Sequence, residues 1–585
     1  MFRKGRGVFE LCENDVLQVL MADNSDDEDD LELDDEDQRL LTQDDDQGIF
    51  HVEIEDTTMQ QPRSESPQPS TSSVEPSSMS QPQPTFKWNQ RTYIPNLFQE
   101  SDYLFGKVLI LETEADSLTP FAIFCAATNL EVLVDILVSE TVRYAHQNGR
   151  EFSVEKEEMK AFLGINLVMG YHILPSLRDY WSTEPDMGVT YVSNVMTRAR
   201  YEDMRRNLHF CNNEEHRGPT SPDYDRAYKI RPVMVHLNVA FQNALNNTKT
   251  QSIDEHMIKF KGHNVMKQYI KNKPVRWGFK LWCRADAETG YLFEFDLYTG
   301  KRTSGTEYGL GESVVIQLTK KLDGLGCEIY IDNFFNSPLL QYQLISQNTK
   351  VCGTVRTNRK YLPKTAPADK NMKRGDIYTT SYHGITFVKW MDNKAVHLLT
   401  NFLSPAETET VKRRMAGSAE KIDVRCPKIV SHYNKNMGGV DLMDQRKVYY
   451  EVDRRSKIKY YLRLFFDLFD IAVNNAYIIY TKLHAEKRIE GNLLTCLQYR
   501  QVVARSLIND YSMRKRSVPT AATSVVRRSL KRPTPSHPME KTDLRKRCVN
   551  CAKNKVENRT NNRCVVCKVH LCFTNNRNCF AEYHY

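Results

Sequence analysis

Four aspartates stand at positions where a folded core rarely places a charge. Asp254 follows an apolar residue in S-I-D-E-H and is predicted to end a strand, and Asp332 ends the run C-E-I-Y-I-D. Asp441 and Asp444 follow a glycine pair at a predicted helix start, and their spacing places both carboxylates on one helix face. If the strands of Asp254 and Asp332 pair in the centre of a sheet, these two side chains lie at neighbouring strand ends.

Clustered carboxylates repel one another, so this group indicates a site for divalent cations. Magnesium, or manganese in its place, suits hard oxygen ligands and leaves coordination positions open for phosphate oxygens. Two such ions about 3.5–4 Å apart would activate water or a 3′-hydroxyl and stabilise the leaving oxygen. Each aspartate alone also fits a turn or a helix cap. Their joint appearance favours metal-dependent phosphoryl chemistry.

A second group of reactive side chains lies near the C-terminus, where six of the 14 cysteines fall within residues 548–585. Paired C-x2-C motifs separated by twelve residues are typical of zinc sites. The sequence predicts two zinc ions held by Cys548, Cys551, Cys564, Cys567, Cys572, Cys579 and His584, with His570 as a candidate eighth ligand. A cross-brace would alternate the ligand pairs between the metals. The alternatives are free thiols for the cysteines and a surface histidine for His570.

The elements that must position these groups follow from hydrophobic periodicity. Apolar residues recur at three- and four-residue spacing from about residue 86 to 249, which predicts helices. From residue 250 the chain reads as strand, strand, strand, helix, strand, helix, strand. This order predicts an α/β fold with a ribonuclease-H-like catalytic core. Helices resume after residue 450. The cysteine-rich end, with 38 residues, barely holds a core, so bound zinc would supply much of its folding free energy.

The sequence therefore predicts eight regions. They are a disordered acidic and Ser/Pro-rich tail (1–85), the first segment of a split helical domain (86–249), the first segment of the catalytic core (250–355), a β-rich insertion domain (356–427), the second segment of the core (428–450), the second segment of the helical domain (451–512), a basic flexible linker (513–547) and the cysteine-rich zinc finger (548–585).

Charge is segregated along the chain. Residues 26–56 carry 16 acidic residues against Arg39 alone, a net of −15, so the overall +6 leaves +21 on the remainder. A basic body of this kind favours a polyanionic partner such as nucleic acid, although an ordinary solvated surface is the alternative. The sequence has no apolar run of about 18 residues, which argues against a spanning helix, and acidic residues near the N-terminus argue against a signal peptide.

Several longer sequence motifs resemble those of the piggyBac family of DNA transposases. They occur in family order as RYEDMRRNLHF, KIRPV, SIDEHMIKFKG, KQYIKNKPVRWGFKLW, YIDNFFNSPLL, GTVRTNRK and YNKNMGGVDLMDQ, followed by the cysteine-rich end. The resemblance covers roughly residues 90–585. It implies that Asp254, Asp332 and Asp441 are the DDE/D catalytic aspartates, with Asp444 as a supporting fourth. It also implies DNA cleavage and strand transfer through hairpin intermediates, insertion at TTAA sites, and a homodimer bridging two transposon ends.

The same resemblance assigns DNA binding and dimerisation to the split helical domain, and DNA binding to the finger. Basic residues around the first strands are candidate phosphate contacts, namely Lys259, Lys261, Lys267, Lys271, Lys273 and Arg276. Arg356, Arg359 and Lys360 form a second candidate patch, with a solvated loop as the alternative. Tyr269 and Trp277 could stack on bases, but a buried role is favoured. Basic clusters between residues 514 and 547 resemble nuclear import signals, so we expect the protein in the nucleus.

Two other functions remain open at this point. A domesticated transposase could act as a sequence-specific DNA-binding protein without cutting DNA. A cross-brace finger could also serve protein interaction or ubiquitin transfer, which no other region of the sequence favours. No membrane and no small-molecule substrate are expected.

Overall fold

The computed structural model describes residues 85–89, 93, 97–110, 118–271, 273–300, 308–415, 420–452, 459–513, 537–574 and 578–584. The predicted tail up to residue 84 and residues 514–536 of the predicted linker lie outside this range. The chain divides into two compact units, Met1–Arg514 and Lys515–Tyr585, which are described separately.

Helices begin the larger unit, as predicted. They are α1 (Pro120–Thr128), α2 (Leu130–Gln147), α3 (Lys156–Tyr171), α4 (Thr190–Val195), α5 (Arg198–Asn207) and α6 (Arg231–Ala244). Their starts follow local rules. The Thr119 hydroxyl accepts the Ala122 N–H at 3.1 Å at the start of α1, and Pro232 occupies the first turn of α6, where no backbone donor is lost.

A mixed sheet follows these helices. Its first elements are β1 (Thr250–Lys259), β2 (Gln268–Tyr269), β3 (Trp277–Asp286), β4 (Leu292–Leu297), α7 (Leu310–Thr319), β5 (Glu328–Ile331), α8 (Pro338–Ser346) and β6 (Lys350–Thr354). The strands lie in the order β4-β3-β1-β5-β6. Strand β3 is antiparallel to β1 and β4, whereas β5 is parallel to β1 and β6 is parallel to β5. Apart from the short β2, the succession of elements agrees with the prediction.

Strand β1 is longer than the sequence pattern predicts. The pattern places Asp254 at its end, but the strand continues to Lys259. The reason is its second neighbour, because Glu255 to Lys259 pair with Trp282 to Gly278 of β3. Only the parallel pairing with β5 stops at Ile253. Asp254 therefore lies within a strand, at the point where one of its two partner strands ends.

The predicted insertion does not form a separate β domain. Its strands β7 (Ile377–Tyr382), β8 (Ile385–Met391) and β9 (Ala395–Thr400) continue the same sheet, because β9 pairs with the edge of β6. Only β10 (Thr408–Arg414) and β11 (Lys421–Pro427) form a ribbon of their own. The predicted domain boundary at residue 356 therefore marks only a change in sequence pattern, and the same sheet continues across it.

Two helices lead back to the sheet, α9 (Lys428–Asn436) and α10 (Gly439–Val448). The start of α10 packs directly on β1 and β3. A Cβ on Gly439 would lie 2.5 Å from the Asp286 carbonyl oxygen and 2.6 Å from Ser252 Oγ, so only glycine allows this approach. Gly439 thus sets how close the start of α10 comes to β1.

The helices before and after the sheet share one hydrophobic core. Helix α11 (Tyr460–Ala485) lies in its centre, and α12 (Cys496–Ile508) packs beside it. Phe465 of α11 contacts Phe210 with ring centroids 4.7 Å apart, and Phe469 contacts Phe124 of α1 at 6.2 Å. By length and hydropathy, no described helix could cross a membrane by itself, whereas the pair α1 and α2, bent by 62°, passes that test together.

The smaller unit contains β12 (Met539–Arg547), α13 (Val549–Lys553), β13 (Arg559–Cys564) and α14 (Cys579–His584). Strand β12 pairs antiparallel with β13. The predicted flexible linker therefore ends earlier than residue 547. Its last residues are ordered by backbone pairing with the cysteine-rich segment, which a composition rich in Lys and Arg did not indicate.

Candidate active site and metal-ligand clusters

The register of two parallel strands brings Asp254 and Asp332 together. Ile253 of β1 pairs with Ile331 of β5, and each is followed by one of the two aspartates. Asp254 Oδ1 accepts the Glu255 N–H at 2.8 Å, and Asp332 Oδ1 accepts the Phe334 N–H at 2.8 Å. Both carboxylates are therefore held by backbone donors at the end of the β1–β5 pairing.

Both carboxyl groups resist ionisation in this position. Burial raises the pKa of Asp254 well above its usual value, and the Glu255 charge adds to the effect. Burial also raises the pKa of Asp332, against the hydrogen bond from Phe334. Asp332 in turn raises the pKa of Asp254. Negative charge at this site is thus incompletely compensated by the protein.

Helix α10 contributes the other two aspartates. Asp441 is exposed in its first turn, and Asp444 is half-buried one turn later. Both act on Lys273, whose Nζ lies 3.8 Å from Glu255 Oε1. Burial lowers the pKa of Lys273, but Asp254, Glu255, Asp441 and Asp444 together raise it above its usual value. Lys273 thus interacts electrostatically with the aspartates of both β1 and α10.

These aspartates form a suitable donor set for divalent cations. Their carboxylate oxygens are the hard ligands that magnesium and manganese prefer, and a cation would compensate the negative charge that burial disfavours on Asp254 and Asp332. In the described regions of the chain, sets of three or more ligand atoms within 4.8 Å of one another are confined to the two cysteine clusters. The four aspartates do not meet this distance as a set, so joint binding of one ion would require side-chain movement.

The predicted basic residues fall into two places. Arg356 Nε donates to Asn333 Oδ1 at 3.0 Å, and the Arg359 guanidinium donates to the Asn333 and Phe334 carbonyl oxygens. Both arginines therefore border the turn that holds Asp332, and Lys360 is exposed beside them. The other group surrounds β2. Its exposed members are Lys261, Lys271 and Arg276, and its half-buried members are Lys259, Lys267 and Lys273.

Trp277 is exposed, although a buried position was expected from the sequence. Its side chain is 39% exposed, and it contacts Tyr269 with ring centroids 4.8 Å apart. Lys267 Nζ lies 5.2 Å from the Trp277 ring. The reason is its place at the first residue of β3, where the strand leaves the core. An aromatic pair flanked by lysines is therefore accessible to a ligand.

A buried charged network behind the aspartates is absent from the sequence-based predictions. His256 lies between Asp444 and Asp467, and Asp467 also accepts a hydrogen bond from Lys447 Nζ. Two signals were available in the sequence. His256 follows Asp254 at the two-residue spacing of one strand face, and Asp467 interrupts the most apolar helix of the chain.

The six terminal cysteines and two histidines form two clusters. The first contains Cys548, Cys551, Cys572 and Cys579, with Cys551 Sγ 3.5 Å from Cys579 Sγ and 3.8 Å from Cys572 Sγ. Thiolates about 2.3 Å from a tetrahedral zinc lie about 3.8 Å apart, so this cluster could hold one ion. Chain order alternates between the clusters, as a cross-brace requires.

The second cluster contains Cys564, Cys567, His584 and His537 rather than His570. His537 Nδ1 lies 3.5 Å from Cys564 Sγ and 3.3 Å from Cys567 Sγ. His584 Nε2 lies 3.4 Å from Cys567 Sγ, while its Nδ1 faces the Phe580 carbonyl oxygen at 2.8 Å.

His570 is outside both clusters because it points to Thr542, whose Oγ1 is 3.0 Å from its Nε2. The histidine upstream of the cysteines was overlooked because it falls in the predicted linker. The described cysteines are free of disulfide bonds, as metal ligation requires.

Comparisons with known proteins agree with this arrangement. The family model described as "Transposase IS4" matches residues 130–477, more than half of the chain. Human PiggyBac transposable element-derived protein 2 is 31% identical over 377 residues, which are 63% of this chain and 62% of the relative. Human PiggyBac transposable element-derived protein 3 is 28% identical over 470 residues, 77% of this chain and 74% of the relative. The chain thus spans less than two thirds of the first of these relatives.

A solved structure shares the fold. It is a cryo-EM structure of the piggyBac transposase synaptic complex with hairpin DNA, matched with a TM-score of 0.60 and 22% identity over 78% of this chain and 96% of the other. The family match includes β1, β5 and α10, which carry the four aspartates. The chain belongs to the piggyBac family of DDE transposases.

Proposed function

We propose that this protein cleaves DNA strands and transfers them to a new site, with Asp254, Asp332, Asp441 and Asp444 binding two magnesium or manganese ions. One observation carries the proposal. Asp254 and Asp332 lie side by side at the end of the β1–β5 pairing, and burial raises the pKa of both carboxyl groups. Two half-buried carboxylates that repel one another cost stability unless a cation compensates them.

The chain's own residues have distinct tasks in this reaction. Backbone donors at Glu255 and Phe334 orient the two central carboxylates. Arg356 and Arg359, at the turn after Asp332, are placed to bind the phosphates that flank the scissile bond. When bound, the two ions supply activation of the attacking oxygen and stabilisation of the leaving one. The ribonuclease-H-like order of β1 to β6 supports this assignment.

The partner we propose is DNA, recognised as transposon terminal repeats and cut or joined at TTAA sites by a homodimer in the nucleus. Three features support a DNA partner. Lys261, Lys271 and Arg276 are exposed beside Trp277, the described fold is shared with a transposase solved on hairpin DNA, and the body of the chain is basic. In the smaller unit we propose two zinc ions, one in each cluster, and contacts to DNA phosphates through exposed basic residues.

The direct test is an excision assay in cells. A reporter gene is interrupted by a piggyBac-type element, and wild type is compared with Asp254→Ala, Asp332→Ala and the control Asp323→Ala, at an exposed position. Wild type and the control should restore the reporter with an intact TTAA, and the two active-site variants should not. Equal excision by wild type and Asp254→Ala would contradict the proposal.

A domesticated DNA-binding protein is the alternative outcome of the same experiment. Wild type would then give no excision but would still bind DNA in vitro, and Asp254→Ala would leave every cellular effect unchanged. Sequencing the DNA that the protein occupies would separate this outcome from an unsuitable choice of terminal repeats.

A further inference from the structure

His256 joins the active-site helix to the helical core. The side chain is 2% exposed and lies between two carboxylates, with Nδ1 2.6 Å from Asp444 Oδ1 and Nε2 2.8 Å from Asp467 Oδ2. Both Nδ1 and Asp444 Oδ1 are buried atoms, so their close approach is shielded from solvent. The ring therefore places one nitrogen beside each carboxylate.

The network continues on the far side of Asp467. Lys447, one turn after Asp444 on α10, donates to Asp467 Oδ1, and the side chains of Lys447 and Asp467 are each 6% exposed. The contacts therefore run from Asp444 through His256 and Asp467 to Lys447. They link β1, α10 and α11, which are the strand and helix of the proposed site and the central helix of the core.

We infer that His256 is a positioning residue that holds the Asp444 carboxylate in the orientation needed for metal binding. This inference rests on the proposed function. Asp444 is half-buried on a helix and could turn towards solvent at little cost, so a fixed partner is needed to keep it beside the other aspartates. The protein provides that partner from β1, two residues beyond Asp254.

Structural need alone does not account for a histidine here. Lys447 already neutralises Asp467, so the fold could tolerate a neutral side chain at position 256. A histidine adds a second ring nitrogen, and that nitrogen lies beside Asp444 rather than a group of the core. Removing a residue that contacts a metal-binding carboxylate typically lowers metal affinity or activity about 10–100-fold.

Two substitutions separate the two contacts. In His256→Asn the amide nitrogen takes the place of Nδ1 and keeps a donor beside Asp444. In His256→Gln it takes the place of Nε2 and keeps the donor to Asp467. If position 256 acts through Asp444, Asn should bind manganese more tightly than Gln by about tenfold. If it only supports the fold, Gln should do as well as Asn or better.

Manganese binding is measured on the full-length protein by electron paramagnetic resonance of the free ion, without DNA. The double variant Asp254→Asn with Asp332→Asn serves as the blank. The manganese that it binds is subtracted as binding elsewhere on the protein. Cleavage of a labelled transposon end is measured in parallel, together with DNA affinity. We expect both variants to bind DNA as wild type does, and His256→Gln to lose more metal affinity and more cleavage than His256→Asn.

The possible outcomes are distinct. Equal manganese affinity for Asn and Gln, or a stronger Gln, would overturn the inference while leaving the proposed function intact. If wild type shows neither site-specific manganese binding nor cleavage, the proposed function fails and the inference falls with it. If the variants at 256 do not fold, Asp444→Glu replaces them, because its longer side chain cannot keep the His256 contact. Wild-type manganese affinity in Asp444→Glu would also overturn the inference.

Discussion

Asp254 and Asp332 follow directly on Ile253 and Ile331, which are paired residues of the parallel strands β1 and β5. The two carboxylates therefore meet through backbone register rather than through side-chain reach. Burial raises the pKa of both groups, and Asp332 adds to the effect at Asp254. In the absence of metal, repulsion between these carboxylates lowers the stability of the protein. The same arrangement provides the metal ligands of the proposed site.

Removing one of these charges should stabilise the metal-free protein. Asp254→Asn keeps the oxygen that accepts the Glu255 N–H but cancels the repulsion, so we expect the melting temperature at pH 7 to rise by about 1–2 °C. The rise that manganese produces in wild type should disappear in the variant. Differential scanning calorimetry with and without manganese measures both effects. A lower melting temperature for metal-free Asp254→Asn would contradict this account of the site.

The buried ion pair between α11 and α12 should be costly to break from one side. Arg500 donates to Asp470 Oδ1 at 2.5 Å, and their side chains are 4% and 1% exposed. We expect Asp470→Ala to lower the free energy of unfolding by about 3–5 kcal/mol, because Arg500 is left buried without its partner. The double variant Asp470→Leu with Arg500→Met should recover most of this loss. Urea unfolding of wild type and the two variants provides the test, and a double variant no more stable than Asp470→Ala would argue against a buried pair.

The two histidines of the smaller unit should differ in their effect on zinc content. His537→Ala removes a side chain 3.3 Å from Cys567 Sγ, so we expect bound zinc to fall from two ions to one per chain. His570→Ala is the matched control and should retain two ions, because its ring faces Thr542. Elemental analysis of the purified full-length proteins gives the stoichiometry. Loss of zinc in His570→Ala alone would mean that the clusters are wrongly assigned.

His397 should make stability depend on pH. Burial and the nearby Lys389 ammonium lower the pKa of His397 below 6.5. The unfolded chain then binds more protons than the folded chain just below pH 6.5, so the free energy of unfolding should rise with pH in that range and level off above it. His397→Gln should reduce the difference in melting temperature between pH 5.5 and 7.5. His146→Gln, at an exposed position, is the control, and an unchanged difference in His397→Gln would refute the assignment.

The order of elements was predictable because it depends on local patterns. Strand and helix periodicity placed β1, β5 and α10, and it placed Asp332 directly after β5 and Asp441 in the first turn of α10, whereas Asp254 lies within β1 rather than at its end. Strand pairing was less predictable. The extension of β1 to Lys259 and the addition of β7, β8 and β9 to the same sheet depend on which edges meet, and residues far apart in sequence decide that.

By itself the sequence determined the chemistry available to this protein. It showed four aspartates within motifs that resemble the piggyBac family, and pairs of cysteines spaced as in zinc sites. Residue type and short spacing are properties of the chain itself, so both could be read without the fold. Only the tertiary structure decided which distant groups complete each site. His256 meets Asp467 across 211 positions, and His537 rather than His570 joins Cys564 and Cys567. Such contacts follow from packing and strand register, where a shift of a single residue turns a side chain to the opposite face.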